Sequence, residues 1–206
     1  MTDKFSRRPV LAGLASVFAL ATAPAMAQDA PREVLEMTLG DEGAPVSVIE
    51  YASFTCPHCM RFHTEVFPLI KENYIDTGKI RFTMREVYFD KYGLWAGMIA
   101  RCAGPDRYFG VTNVLYQQQS DWSQAESEAA LVEKLYAIGR QAGQTNDELD
   151  ACLQDSDFAQ ALVERYQETA TADDVTGTPS FIVNGEKVKN MSYEEFAKIL
   201  DEALGA

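Results

Sequence analysis

The chain has 206 residues, 47% of them hydrophobic, enough for one well-buried domain or for a small domain carrying a large insertion, and too few for two full domains. Its formal charge of −13 argues against nucleic acid as a partner, because an acidic surface repels polyanions; by itself that charge names no substrate.

In chain order, Lys4, Arg7 and Arg8 precede an apolar stretch over 10–23, and Ala25-Met26-Ala27 offers a small-x-small cleavage site. Residues 1–27 therefore read as a signal peptide. The stretch falls short of the ~20 residues a membrane-spanning helix needs, and no later segment is long and apolar enough to span. Ser6-Arg7-Arg8-Pro9-Val10-Leu11 resembles the twin-arginine export motif, and the paired arginines suit ordinary secretion as well. Either route delivers a soluble protein to an oxidising compartment, where the four cysteines must be read.

Residues 28–44 form a polar arm with one short strand expected around 34–37. Residues 46–51 are apolar and β-branched, as a buried strand requires. Cys56-Pro57-His58-Cys59 follows at once, and Phe62, Val66, Leu69, Ile70 and Tyr74 then recur at helical spacing, with Pro57 suited to a first turn. Pro68 lies inside this helix and is expected to bend it. Residues 80–87 alternate apolar and polar, so a helix between two strands makes a βαβ unit.

From 91 to 172 the periodicity is helical throughout, too long for a loop and better read as an inserted helical subdomain. Its aromatics, among them Tyr88, Phe89, Trp95, Tyr108, Phe109, Tyr116 and Trp122, are mostly core, with a few near the insertion boundaries lining a groove beside Cys56. Asn184-Gly185, flanked by Phe181-Ile182-Val183 and Glu186-Lys187-Val188, is a hairpin signal. Ser192 and Glu195 make a capping box that opens a closing helix to about 204. The organisation is thus a signal at 1–27, an arm at 28–44, a first α/β part at 45–90, the helical insertion at 91–172 and a second α/β part at 173–206.

A CxxC motif serves zinc sites and redox sites alike. Zinc would need four ligands, and Cys56, Cys59, His58 and His63 offer no second Cys or His pair at the usual spacing, so no metal is assigned. An inert disulfide across so small a loop would add little stability. A redox site explains the placement. Cys56 at a helix N-terminus faces unpaired N–H groups and the positive dipole end, both of which favour a thiolate. Cys59, one turn in and covered, is suited to resolve a mixed disulfide. His58 can lower the Cys56 pKa further by donating a hydrogen bond or positive charge. A stabilised thiolate stabilises the reduced protein, so the disulfide form is the oxidant.

Four features together resemble the DsbA family of bacterial periplasmic thiol-disulfide oxidoreductases: Cys56-Pro57-His58-Cys59, Glu50 six residues earlier, the helical insertion, and Gly177-Thr178-Pro179 before the strand at 181–183. That family is also a general example of a strongly oxidising, low-pKa cysteine. The resemblance implies an α/β thioredoxin-like fold with an inserted all-helical subdomain and a cis Pro179 against the active-site cysteines. It also implies that Thr178 offers its backbone to an extended substrate and that Glu50 handles protons when Cys59 reacts.

The same resemblance implies reduced or unfolded exported proteins as substrates, a DsbB-like membrane reoxidant, a periplasmic location and no dissolved cofactor. His63 departs from the family pattern, where an acidic residue is frequent. Thr178, where the best-known oxidases carry valine, leaves a disulfide isomerase or reductase open as the second reading. The cysteines and His58 would also serve a copper or zinc binding protein, and a chaperone in which the cysteines are secondary is a further possibility. Cys102 and Cys152, both in the insertion, most simply form a structural disulfide; two free buried thiols or a regulatory pair would also fit.

Overall fold

A computed structural model describes residues 1–2 and 33–205. The expected signal peptide and its cleavage site lie outside the described residues. Among the described residues, no helix is long and apolar enough to cross a membrane.

Five strands, β1 (Met37–Leu39), β2 (Val46–Ala52), β3 (Ile80–Glu86), β4 (Ser180–Val183) and β5 (Glu186–Lys189), form one sheet in the order β1-β3-β2-β4-β5. β2 and β3 run parallel, as the βαβ reading requires, and the other neighbours are antiparallel. Side chains alternate across the sheet. Val46, Val48, Glu50, Ile80, Phe82 and Met84 are fully buried and alternate with the less buried positions between them. Ile49, Tyr51 and Ile182 form a second apolar cluster with Ala170.

The strand expected around 34–37 instead starts at Met37, because pairing with β3 sets Met37 opposite Met84 and buries its side chain. Gly40 ends it, with φ at +91° and no room for a Cβ, which would sit 2.4 Å from the Ile80 carbonyl oxygen.

After β2 the chain turns into a continuous helical rod: α1 (Pro57–Arg61), a π-helical turn (Phe62–Val66), α2 (Phe67–Ile70) and a second π-helical turn (Lys71–Ile75). The irregularity expected at Pro68 takes this form. Phe67 N–H bonds the Phe62 carbonyl five residues back, and Pro68, which has no N–H to give, enters at the start of α2.

The helices between β3 and β4 are α3 (Lys91–Cys102), α4 (Pro105–Gln117), α5 (Gln119–Ser123), α6 (Glu128–Gln141), α7 (Asn146–Gln154) and α8 (Ser156–Ala172). Caps explain their joints: the Asp90 carboxylate accepts from the N–H groups of Tyr92 and Gly93, and Thr145 and Glu148 make a capping box for α7. The insertion has no separate main core. Phe54, Phe62 and Phe82 share one apolar cluster with Tyr108, Leu115, Trp122 and Leu135, and with Phe181 and Phe196 of the last part. A buried polar joint reinforces it: Arg101 grips Glu86 at the end of β3 with two hydrogen bonds of 2.7 and 2.6 Å, and the Tyr108 hydroxyl donates to the same carboxylate at 2.7 Å.

Cys102 and Cys152 are bonded, tying α3 to α7 across 50 residues of sequence. A loop of that length corresponds to about 4 kcal/mol in the chain-entropy description, within the range of about 2–5 kcal/mol typical for loss of a native bridge. Replacing both by alanine is therefore expected to lower stability to urea by about 4 kcal/mol while leaving the titration of Cys56 in place. A loss indistinguishable from zero would show that the bridge is not a stabilising one.

The last part follows the sequence closely. Asn184 and Gly185 both take positive φ, 47° and 88°, and turn β4 into β5. α9 (Tyr193–Leu204) starts at the Ser192–Glu195 capping box and buries Phe196 and Leu200.

Candidate active site

Cys56 stands at the junction of β2 and the helical rod, in extended conformation (φ −83°, ψ 120°), with its sulfur capping α1 by accepting from Cys59 N–H at 3.4 Å. Pro57 follows at the first helical position, where its missing N–H costs nothing. In its protonated form the Cys56 thiol donates to the Thr178 carbonyl oxygen at 3.5 Å. The Thr178–Pro179 peptide bond is cis, as the family resemblance implied.

The two sulfurs sit in unequal surroundings. The Cys56 pKa is lowered to about 5, chiefly by the hydrogen bond from the Cys59 side chain. Partial burial opposes this, and the Thr178 side chain and the backbone N–H groups of Cys59 and His58 lower it further. Cys59 is fully buried, and its thiol is pushed far up, first by desolvation, then by its hydrogen bond to Cys56 and the negative charge of Glu50. At neutral pH one sulfur is a nucleophile with access to solvent and the other a covered thiol.

His58 acts differently from the sequence expectation. Its imidazole is exposed and turned along the helix, with Nδ1 accepting from the Arg61 guanidinium at 2.6 Å, so the contribution of this residue to the thiolate comes through its backbone N–H.

Glu50 is completely buried and bonded through Oε2 to His63 Nε2 at 2.8 Å, with His63 itself 2% exposed. His63 follows Cys59 by four residues, on the side of the rod that packs on the sheet. The sequence marks it as unusual but does not reveal its partner. Tyr116 of α4 lies flat on the imidazole, ring centroids 4.2 Å apart and planes within 14°.

Gln119 of α5 is a contributor with no signal in the sequence. It is buried, and its Nε2 donates to the carbonyl oxygens of Phe54 at 2.7 Å and Cys56 at 3.0 Å, fastening the redox turn to the insertion. A second fastening runs from Thr55 Oγ1 to the Asp90 carboxylate at 2.7 Å. Next to it Phe89, 59% exposed, is the aromatic that remains open at the insertion boundary. Among the described residues, no three His, Cys, Asp or Glu side chains gather as a metal-binding group.

The chain resembles known proteins in sequence and in fold. Residues 33–202 match the sequence family described as Thioredoxin. A Rickettsia typhi protein named as a protein-disulfide oxidoreductase is 36% identical over 170 residues, covering 82% of this chain and 62% of its own length. The chain thus spans less than two thirds of the Rickettsia relatives. Disulfide bond formation protein D of Bacillus subtilis is 27% identical over 172 residues, covering 81% of this chain and 76% of that protein. Among solved structures, Wolbachia pipientis alpha-DsbA1 superposes with a TM-score of 0.77 at 29% identity, covering 82% of this chain and 91% of that one. The Bacillus subtilis BdbD structure gives 0.74 at 24% identity, covering 83% and 94%, a likeness of fold.

Proposed function

The chain belongs to the DsbA family of the thioredoxin superfamily, and from that premise we propose that it is a protein thiol-disulfide oxidoreductase donating its Cys56–Cys59 disulfide to reduced exported proteins in the periplasm. The observation that carries the proposal is the inequality of the two sulfurs, Cys56 lowered to about 5 and Cys59 buried and raised.

In the cycle, a substrate thiolate attacks the Cys56 sulfur. The Cys56–Cys59 bond breaks, its electron pair goes to Cys59, and Cys59 takes a proton because its buried site disfavours charge. A second substrate thiolate then attacks the substrate sulfur of the mixed disulfide and expels Cys56 as a thiolate. The substrate leaves oxidised by two electrons and this protein is reduced by two. Expulsion is easy because a low-pKa thiolate is a good leaving group.

Thr178, at the cis bond and within reach of the Cys56 sulfur, offers its backbone to an extended substrate chain in the manner of an added strand. The exposed Phe89 gives that chain an apolar contact. A membrane reoxidant resembling DsbB returns the pair to the disulfide, so no dissolved cofactor takes part.

Equilibration with glutathione redox buffers tests the direction of electron flow. A reduction potential above about −180 mV is expected, and one near about −270 mV would make the protein a reductant and overturn the proposal.

A further inference from the structure

Beside the reacting sulfurs lies a buried acid held by a partner of a particular kind. Glu50 is 0% exposed in the centre of the sheet, with Phe181 and Met84 as its strand neighbours, and its Oε2 is bonded to His63 Nε2 at 2.8 Å. Its other oxygen, Oε1, is buried with no hydrogen-bond partner. An arginine or lysine at position 63 would keep Glu50 permanently ionised. An imidazole can share one proton with a carboxylate and give it up near neutral pH.

The ring is fixed for that purpose. Tyr116 stacks on it, Phe67 lies 4.9 Å away and the ring of Phe62 meets it edge-on at 5.5 Å. The titratable groups facing the pair are Cys59 and Cys56 from the first helix and Tyr116 from α4, with Tyr108 behind it. None of these is a basic group, and among the described residues the imidazole of His63 is the basic side chain hydrogen-bonded to Glu50.

We propose that His63 is a positioning residue that holds Glu50 beside Cys59 and shares with it the single proton that Cys59 takes up when the Cys56–Cys59 bond opens. This rests on the exchange function proposed above. As the disulfide opens, the electron pair of the broken bond passes to Cys59, and the proton held between Glu50 and His63 passes to that sulfur. The pair is left as carboxylate and neutral imidazole, and it recovers a proton from solvent before the next turnover. In the reverse direction Cys59 returns the proton as it attacks a mixed disulfide. The buried sulfur never has to carry a full charge in an apolar site.

The test is the rate at which dithiothreitol reduces the oxidised protein, measured by acid-quenched thiol content from pH 4.5 to 8 and corrected for the dithiothreitol thiolate. Wild type should retain a pH step belonging to the pair. His63→Gln keeps an N–H donor for Glu50 but cannot carry the proton. It should lose the step and react at least about tenfold more slowly, while the 240 nm thiolate titration of Cys56 stays near 5. His63→Phe, which preserves ring packing, should behave likewise where it folds.

A His63→Gln protein with the rate and pH profile of wild type would overturn the inference. Glu50→Gln separates this result from failure of the wider reading. A slow Glu50→Gln beside an unaltered His63→Gln sinks the role of His63 alone, and a wild-type disulfide inert to dithiothreitol sinks both.

Discussion

A Cys59→Ser protein will take one half of an incoming disulfide onto Cys56, expelling the other half as a thiolate, and fail to release it. With the covered sulfur gone, the Cys56 thiolate still attacks an incoming disulfide, but no internal thiol remains to displace the adduct. Turnover of dithiol peptides is expected to fall by about a thousandfold or more, because residues that act as one unit fail together. Mass spectrometry under non-reducing conditions should find one adduct per chain, located at Cys56. Cys56→Ser should collect none, since Cys59 is fully buried and its thiol is raised. Equal capture by the two variants would show that the roles are not divided as proposed.

The stability of the reduced protein should rise with pH from about 5 towards 9, and this rise should vanish in Cys56→Ser. The lowered Cys56 pKa means that between pH 5 and the ordinary thiol range the unfolded chain holds a proton that the folded chain has released. Stability from this group is therefore fully present above the unfolded thiol pKa and lost as pH falls through about 5. The slope is at most about 1.4 kcal/mol per pH unit for one linked proton, and solvent screening at a half-buried sulfur lowers it. Cys59 has the opposite sign. Its raised pKa adds stability below the ordinary thiol range that fades as pH climbs past it, so the reduced form should be most stable near the pKa of a free thiol. Urea midpoints of the reduced wild type and of Cys56→Ser across this range check both signs. A flat difference between the two proteins would mean that Cys56 is not held as a thiolate.

The consequence for redox chemistry is direct. Whatever stabilises the Cys56 thiolate stabilises the reduced protein alone, which makes the disulfide a better oxidant. The hydrogen bonds that do this come from the side chains of Cys59 and Thr178 and from the first backbone N–H groups of α1, not from the His58 ring. Substitutions of the His58 side chain therefore act on the helix surface and on Arg61 before they act on the sulfur.

Much of this protein is determined by the sequence alone. Local rules place β2, the redox turn and the helix after it, because apolar periodicity, a cap position and Pro57 all act within a few residues. The Asn184-Gly185 turn and the Ser192–Glu195 box are local in the same sense. The bonded pair Cys102–Cys152 was readable as the simplest use of two remaining cysteines in an oxidising compartment.

Tertiary structure decided what depends on partners distant in the chain. β1 took its register from pairing with β3 rather than from its own pattern. Gln119 reaches the Phe54 and Cys56 carbonyls across more than sixty residues, and nothing in the neighbourhood of Gln119 announces it. Glu50 and His63 each stand out singly in the sequence, an acid in an otherwise apolar strand and a histidine where the family pattern frequently has an acid. Only packing of the helix on the sheet shows that each is the other's reason for being buried, because a buried charge is tolerated where a partner meets it.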